Sequence, residues 1–409
     1  MSTPTFSSVR PLLVRAVAQA LWTIFMENQY ADRVVERVLR QNPKAGSRDR
    51  AFIAETTYEV VRYYRLYSAL LGTEPRTERH FWQLVGIHLL LQTNHEEALR
   101  LSEMHGLDPQ AIRQKAAMLR QQRVYRESVP DWLDALGEQQ LGDQWEETLL
   151  WLNRPAQVVL RTNRLKIHRD LLQQRLKSEG IETRPHGAAD ALVLLRRQNV
   201  FATQAFQEGL FEVQDYSSQQ VAPLLDVQPG MRVVDACAGG GGKTLHLAAL
   251  MQGKGTIIAL DTLAWKLEEL RKRARRAGAQ NIETRLIENN KTIKRLYESA
   301  DRLLLDVPCS GIGVLRRNPD SKWKLSPEFI KNLEQIQQNI LQQYSRITRP
   351  GGLMVYATCS LLPSENQHQV RTFLKSPVGQ NFELCVEKTI WPQDEGFDGF
   401  YVALFRRKN

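Results

Sequence analysis

Two cysteines follow apolar runs that are typical of buried strands, and a carboxylate stands close to one of them. Asp306 and Cys309 come after Leu303–Leu305, and Cys359 comes after Val355–Thr358. A cysteine thiolate is a strong nucleophile, and a neighbouring carboxyl group can donate or accept a proton. This combination indicates covalent catalysis by a thiol.

A glycine-rich segment follows another apolar run and opens a predicted helix. It reads Cys237-Ala238-Gly239-Gly240-Gly241-Gly242-Lys243. Glycines allow a sharp turn and a close approach to a ligand, and a helix N-terminus favours a carboxylate or phosphate. Cys237 stands where a P-loop needs glycine, and Thr244 stands where a dinucleotide loop needs its third glycine. S-adenosylmethionine is the ligand class that remains.

Asp261 supports this cofactor, because it ends the next predicted strand and can accept hydrogen bonds from two ribose hydroxyls. Its alternative role is to cap the helix that begins near Leu263. The loop and the acid together favour the cofactor. A methyl donor beside two thiols suits methylation at C5 of a pyrimidine, because this carbon is a poor nucleophile until a thiolate adds to C6. Asp306 would protonate or hydrogen-bond N3 of the ring.

The elements that position these residues alternate between strand and helix, which predicts a doubly wound α/β sheet. Six strands are predicted, at Arg232–Asp235, Thr256–Asp261, Glu283–Glu288, Arg302–Asp306, Leu353–Thr358 and Gly399–Phe405. Helices are predicted at Leu263–Ala277 and at Pro327–Thr348, with Ser326 as N-cap. Ligands bind at the carboxyl ends of such strands, so we expect Asp261, Asp306 and Cys359 to converge there.

Two further domains precede this sheet. Apolar residues at helical spacing predict an all-helical domain over residues 1–125. Residues 126–209 predict a small α+β module, and residues 210–409 the catalytic part. The module has basic residues that form either a face for a phosphate backbone or a solvated surface: Arg161, Arg164, Lys166, Arg169, Arg184, Arg196 and Arg197.

Composition is typical of a soluble protein with a polyanionic partner. Of the 409 residues, 42% are hydrophobic and 24% are charged, and 55 Lys and Arg against 45 Asp and Glu give a net charge of +10. No apolar run is long enough for a membrane span. We expect a monomer that binds no membrane and, since the cysteines lack zinc spacing, no metal. Cys385 is interpreted as a packing residue, as is Cys237, and Met1–Phe6 lack a leader pattern, which predicts a cytoplasmic location.

Ordered motifs extend these observations over residues 125–409. They are Asp306-x-Pro308-Cys309-Ser310-Gly311-x-Gly313, Arg316-Arg317-Asn318-Pro319-Asp320-x-Lys322-Trp323, Thr358-Cys359-Ser360 followed by Glu365-Asn366, Gln214-Asp215-x-Ser217-x-Gln219 and Asp398-Gly399-Phe400-Tyr401. In these motifs the chain resembles the RsmB/Nop (Fmu/Sun) family of RNA (cytosine-5)-methyltransferases. Residues 1–125 more loosely resemble the antitermination factor NusB. The resemblance implies a Rossmann-like, S-adenosylmethionine-dependent methyltransferase sheet, and RNA, above all ribosomal RNA, as substrate.

The resemblance also assigns roles. Cys359 matches the family nucleophile, and Cys309 matches the cysteine that helps to release the product. Residues 237–243 match the cofactor loop, with Asp261 on the ribose and Asp306 near both cofactor and target base. Among the motif residues, Arg316, Arg317 and Lys322 are predicted phosphate contacts, as is the run Arg271-Lys272-Arg273-Ala274-Arg275-Arg276, which is equally consistent with an exposed helix face.

Two departures from the family pattern concern the cofactor. The family loop usually reads Ala-Ala-Pro-Gly-Gly-Lys, whereas here four glycines follow Ala238 and the rigidity of proline is lost. The family usually has Asp near the adenine, where this chain offers Glu288 or Asn289, and we favour Glu288. The alternative functions are a non-catalytic RNA-binding assembly factor, which the intact cysteines disfavour, and an NTPase, which Cys237 disfavours.

Overall fold

The computed structural model describes residues 10–93 and 95–409. Residues 1–9 lie outside this range, and with them the segment Met1–Phe6 on which the expected cytoplasmic location rests. Contacts divide the chain into two compact units. One contains the residues up to Arg154 together with Leu315–Pro327, and the other contains Pro155–Val314 and Glu328–Asn409.

The elements are labelled here in chain order. Helices α1 to α9 are Pro11–Met26, Ala31–Gln41, Ser47–Arg62, Tyr64–Leu71, Glu78–His88, Pro109–Leu119, Arg123–Arg126, Asp131–Leu141 and Gln144–Leu152. They are followed by β1 (Val159–Thr162), α10 (Arg169–Ser178), β2 (Thr183–Pro185), β3 (Ala191–Leu194), α11 (Gln204–Gln207), β4 (Phe211–Val213) and α12 (Tyr216–Gln219). The remaining elements are β5 (Arg232–Asp235), α13 (Gly242–Leu250), β6 (Thr256–Asp261), α14 (Ala264–Ala277), β7 (Ile282–Leu286), α15 (Asn290–Lys294), β8 (Ala300–Asp306), α16 (Ser321–Lys324), α17 (Pro327–Tyr344), β9 (Thr348–Thr358), α18 (Gln367–Lys375), β10 (Phe382–Ile390), α19 (Pro392–Glu395) and β11 (Phe400–Arg407).

The first unit is helical, as its apolar spacing predicts. Helix α1 buries Val14, Val17, Leu21 and Ile24 on one face, which is the spacing of an amphipathic helix. Side chains fix several helix starts; Asp108, for example, caps α6 by accepting from the N–H groups of residues 110 and 111. Among the described residues, no helix is long and apolar enough to cross a membrane.

The second unit contains a small and a large sheet. The small sheet is antiparallel, with strand order β2-β3-β1-β4, and α10 packs on it through Leu172 and Leu176. The large sheet has the order β10-β11-β9-β8-β5-β6-β7. Strands β5 to β9 are parallel, and β11 runs antiparallel between β9 and β10.

Successive residues of the central strands point to opposite faces of the large sheet, and helices cover both faces. Val233 and Ile257 lie in the core shared with α13 and α14, whereas Val234 and Ile258 lie in the core shared with α17 and α18. Because helices cover both faces of the sheet, the side chains on both faces are buried, and these strands are continuous apolar runs in the sequence. The predicted α/β class is confirmed, with a mixed rather than purely parallel sheet.

The strand predictions find every strand of the large sheet except β10, which lies at one edge. Strands β5 and β6 have the predicted bounds, whereas β8 and β9 begin earlier than predicted. Strands β4 and β10 are not predicted at all. β10 is an edge strand with mostly exposed side chains, so it lacks the apolar run by which the others are recognised.

Candidate active site

The carboxyl ends of the parallel strands gather the predicted chemical groups in one place. Asp306 is the last residue of β8 and is paired in register with Ala357 of β9, so Cys309 and Cys359 follow from adjacent strands at the same edge. Asp261 ends β6, and the glycine segment follows β5, which lies between β8 and β6 in the sheet. The expected convergence of Asp261, Asp306 and Cys359 on one edge is therefore observed.

The two thiols lie in direct contact. Cys309 Sγ and Cys359 Sγ are 3.3 Å apart, within hydrogen-bond distance for sulfur. The pKa of Cys309 is raised well above its usual value, first by its hydrogen bond with Cys359 and then by burial. The hydrogen bond and the burial both favour the protonated form of Cys309, whose S–H can donate to the sulfur of Cys359.

A buried glutamate joins the two cysteine loops. Glu365 is 0% exposed, and its carboxylate accepts hydrogen bonds from Ser310 Oγ and Ser360 Oγ, the residues that follow the two cysteines. It also accepts from the Ser310 N–H at 2.8 Å and from Gln337 Nε2 at 2.9 Å. The sequence motif includes Glu365, but nothing in its spacing predicts this connecting role, because Gln337 and Ser310 are distant in the chain.

Backbone contacts further restrain the loop that carries Cys359. Its carbonyl oxygen accepts from the N–H of Gly313 at 2.9 Å. Asn366 donates through Nδ2 to the carbonyl of Ser360 at 2.9 Å and accepts from Thr358 Oγ1 at 2.6 Å. A β-carbon on Gly313 would lie 2.8 Å from the Cys359 carbonyl oxygen, so this close approach requires glycine.

Asp306 is paired with a lysine from the glycine loop's helix. Lys243 Nζ lies 2.6 Å from Asp306 Oδ2, and the same ammonium lies 4.8 Å from the centre of the Phe400 ring. The pair connects the strand that leads to Cys309 with the start of α13. Close by, Asp235 is buried, and burial raises its pKa to about 7.

The glycine loop has the backbone geometry that its composition predicts. Gly239 and Gly241 have φ values of 54° and 85°, in the left-handed region that favours glycine. A β-carbon on Gly241 would lie 2.5 Å from Leu270 Cγ, so the loop is packed tightly on α14. Gly241 is also the N-cap of α13, which places the loop at a helix N-terminus.

Asp261 connects this loop with the start of the next helix. Its Oδ2 accepts from the Gly239 N–H at 2.9 Å, and its Oδ1 accepts from the Leu263 N–H at 2.9 Å. Asp261 therefore also binds the N–H group at the start of α14, which is close to its alternative role as a helix cap. The N-cap residue of α14, however, is Leu263. An ionised carboxylate has about four acceptor sites, so capacity for ribose hydroxyls remains. This donor and acceptor set fits S-adenosylmethionine.

The two adenine candidates differ in their surroundings. Asn289 is the N-cap of α15, and its side chain accepts from the Lys291 N–H at 2.9 Å. Glu288 is exposed just beyond β7, which leaves its carboxylate accessible. The choice of Glu288 over Asn289 stays a prediction.

The structure contradicts part of the predicted RNA contact set. Arg316 and Lys322 are only 4% and 3% exposed, and they lie in the helical unit, where Arg62 Nη2 donates to the carbonyl of Arg316 at 3.1 Å. Burial lowers the pKa of Lys322 well below its usual value. A phosphate contact needs an exposed cation, so the prediction is wrong for these two residues, whereas that for the half-buried Arg317 stays a prediction.

Some of the other predicted basic contacts are also occupied within the protein. Arg161 is buried, and Arg273 and Arg276 form ion pairs with the buried carboxylate of Glu212. Arg161 is therefore not a phosphate contact, whereas for Arg273 and Arg276 a phosphate contact stays a prediction. Of the basic residues predicted to form a phosphate-binding face on the small module, those that are exposed are Arg164, Lys166, Arg184, Arg196 and Arg197.

A Rossmann-like sheet with a glycine loop after β5, an acid at the end of β6 and an acid at the end of β8 defines the class of methyltransferases. The particular family follows from comparison of sequences. Residues 222–406 match the family described as 16S rRNA methyltransferase RsmB/F, and residues 129–201 match the ferredoxin-like domain of the RsmF/B-like methyltransferases. The chain belongs to the RsmB/F methyltransferase family, which confirms the resemblance in its motifs.

Individual relatives agree with this assignment over nearly the whole chain. The probable ribosomal RNA small subunit methyltransferase B of Synechocystis is 32% identical, over 93% of this chain and 96% of its own length. Ribosomal RNA small subunit methyltransferase B of Pasteurella multocida is 33% identical, over 80% of each chain. Among solved structures, a methyltransferase homolog protein from Pyrococcus horikoshii is 27% identical with a TM-score of 0.63, covering 71% of this chain and 99% of that chain.

Proposed function

We propose that this protein transfers a methyl group from S-adenosylmethionine to C5 of a cytosine in ribosomal RNA through a covalent adduct with Cys359. The observation that carries the proposal is the contact of the two thiols, 3.3 Å apart, at the strand edge that also bears Asp306. The names of the family and of its relatives support ribosomal RNA as the substrate.

The two thiols have different tasks in this scheme. Cys359 adds to C6 of the base as a thiolate, an assignment supported by its match to the family nucleophile, and the hydrogen bond and burial that raise the pKa of Cys309 favour the protonated form of Cys309. When bound, S-adenosylmethionine supplies the electrophilic methyl group. After addition, the sulfur of Cys359 is a thioether, which is a weak hydrogen-bond acceptor, so the largest cause of the raised pKa at Cys309, its hydrogen bond with Cys359, is weakened. Cys309 then gives its own proton to water and takes the C5 proton in its place, the C6–sulfur bond breaks to release Cys359 as a thiolate, and N3 returns its proton to Asp306.

Asp306 acts at N3 of the base, across the pyrimidine ring from C6. In its protonated form it donates to N3 as negative charge develops in the base. After the proton has moved to N3, the ammonium of Lys243, 2.6 Å away, stabilises the remaining carboxylate. Asp261 and the loop residues 237–243 hold the cofactor, with Glu288 near its adenine.

The substrate must present an unstacked cytosine, because the thiols lie beyond the strand ends rather than on an exposed surface. Single-stranded or flexible RNA presents such a base most easily. We assign RNA backbone binding to the module of residues 126–209, through its exposed residues Arg184, Arg196 and Arg197.

The experiment that tests this function separates the two cysteines. Cys359→Ala should form no adduct and transfer no methyl group while still binding RNA and cofactor. Cys309→Ala should methylate once and then accumulate a protein–RNA adduct that survives denaturing electrophoresis. Cys385→Ala is the matched control, because Cys385 is exposed on β10 away from the strand ends.

Two outcomes would contradict the proposal. A stable adduct with Cys359→Ala and none with Cys309→Ala would show that the roles are exchanged. Full activity of both variants would exclude thiol catalysis and leave both cysteines as packing residues.

A further inference from the structure

The glycine loop lacks a proline, and two arginines outside the loop hold its carbonyl groups. Arg161 on β1 donates from Nη1 to the carbonyl of Gly242 at 2.6 Å. Arg273 on α14 donates from Nη1 to the carbonyl of Gly240 at 2.7 Å. Because a peptide group is planar, fixing each carbonyl also fixes the N–H group of the next residue.

The two arginines are themselves held by buried polar partners. Arg161 is 2% exposed, its Nη1 also donates to Gln214 Oε1, and burial lowers its pKa to about 10. Arg273 donates from Nη2 to Glu212 Oε2 at 2.9 Å, and Glu212 is 3% exposed on β4. Burying a cation costs free energy unless its N–H groups donate to acceptors. The loop carbonyls are such acceptors, so they help to stabilise both arginines.

The turn after β1 is attached to the C-terminus of the same helix α14. Asn163 donates through Nδ2 to the carbonyl of Ala277 at 2.8 Å, and Lys166 Nζ lies 2.7 Å from the carbonyl of Arg276. A lysine at a helix C-terminus also interacts favourably with the helix dipole. Strand β1 and helix α14 are thus connected both at the glycine loop and at the far end of the helix.

We propose that Arg161 and Arg273 are positioning residues for the cofactor loop. They supply from outside the rigidity that four consecutive glycines lack, since each glycine would otherwise lose more backbone entropy on ordering than any other residue. Arg161 belongs to the small sheet, so the module assigned to RNA binding directly supports the loop assigned to the cofactor. This inference rests on the proposed function for its ligand, S-adenosylmethionine.

The test compares Arg161→Met and Arg273→Met with Arg161→Lys and Arg273→Lys in the full chain. Methionine keeps the apolar stem but donates nothing, whereas lysine keeps the charge with a different geometry. Arg371→Met is the control, because Arg371 is exposed on α18 and has no predicted role in binding. Calorimetry measures S-adenosylmethionine affinity, hydrogen exchange measures the amides of residues 239–243 without cofactor, and filter binding measures RNA affinity.

We expect each methionine variant to bind S-adenosylmethionine about tenfold more weakly or worse, with the KM for the cofactor rising by a larger factor than kcat falls. The loop amides should exchange faster in these variants, RNA affinity should change less than about twofold, and the lysine variants should be intermediate. Arg371→Met should match the wild type.

Three results separate the possible failures. Folded methionine variants with unchanged cofactor affinity and unchanged loop exchange would overturn the inference. Equal losses of cofactor and RNA affinity with a lower melting temperature would also overturn it, because they indicate a general structural role. A wild-type chain that binds no S-adenosylmethionine would instead refute the proposed function, and the exchange data would still decide whether the arginines order the loop.

Discussion

Replacing Glu365 should damage the site in a way that depends on hydrogen bonding rather than on charge alone. Its carboxylate holds the loop after β8 through Ser310 and the loop after β9 through Ser360. These loops carry Cys309 and Cys359, so this side chain helps to hold the two thiols in contact.

The magnitude follows from which donors can find a new partner. In Glu365→Ala the hydroxyls of Ser310 and Ser360, already 3.1 Å apart, can turn towards each other. The Ser310 N–H cannot turn in this way, and a buried donor left without a partner costs roughly 1–3 kcal/mol. Gln337 Nε2 loses one of its two hydrogen bonds but keeps the bond to the Pro308 carbonyl at 3.0 Å. In Glu365→Gln the remaining carbonyl oxygen can accept from both N–H groups, so we expect a loss of only about 1–2 kcal/mol.

Urea unfolding measures the free energy of unfolding, and trapping of the RNA adduct measures the thiol geometry. We expect Glu365→Gln to retain adduct formation and Glu365→Ala to lose most of it. Glu269→Ala is the control, because Glu269 is exposed on α14. A Glu365→Ala variant within about 1 kcal/mol of the wild type, with normal adduct formation, would refute the reasoning.

Three further predictions concern the loop and its neighbours. Asp261→Asn should weaken S-adenosylmethionine binding at least tenfold by calorimetry, since charge-assisted hydrogen bonds contribute about 1.5–3 kcal/mol each, and tight ATP binding instead would revive the NTPase alternative. Gly241→Ala should lower the urea midpoint more than Gly239→Ala, because only the former meets Leu270, at 2.5 Å. Asp235 has its pKa raised to about 7, so its contribution to stability is complete below pH 3.8 and is lost as the pH rises through 7, by at most about 1.4 kcal/mol per pH unit. Asp235→Asn should flatten this slope in urea titrations between pH 4.5 and 8, and an unchanged slope would assign it to other groups.

The parts of the fold that could be predicted are those whose signal is local. Strand β6 is a buried run that ends at an acid, and both its bounds and its place at the site follow from the sequence. Strand β10 could not be predicted, because an edge strand needs no apolar face. Cys309 and Cys359 could be placed at one edge of the sheet, but their contact depends on Glu365 and Gln337, which meet only in the folded chain.

The wrong prediction that Arg316 and Lys322 contact RNA has a similar cause. Lys322 and Arg316 stand in a motif between two catalytic elements, and a basic motif suggests an exposed surface. Their segment instead belongs to the helical unit, where Trp323 donates to the carbonyl of Val61 at 2.7 Å. A contact across more than 250 residues of sequence leaves no periodic signal, so burial at this position could not be inferred from composition or spacing.

The charge around the glycine loop favours a cationic ligand over a nucleoside triphosphate. Burial raises the pKa of Cys237, and Asp235, Asp306 and Asp261 each raise it further, so three carboxyl groups surround the loop. Lys243, the residue that would neutralise phosphates in an NTPase, already forms an ion pair with Asp306. A triphosphate would have to break that pair and then approach the carboxylates, whereas the sulfonium of S-adenosylmethionine is attracted by them.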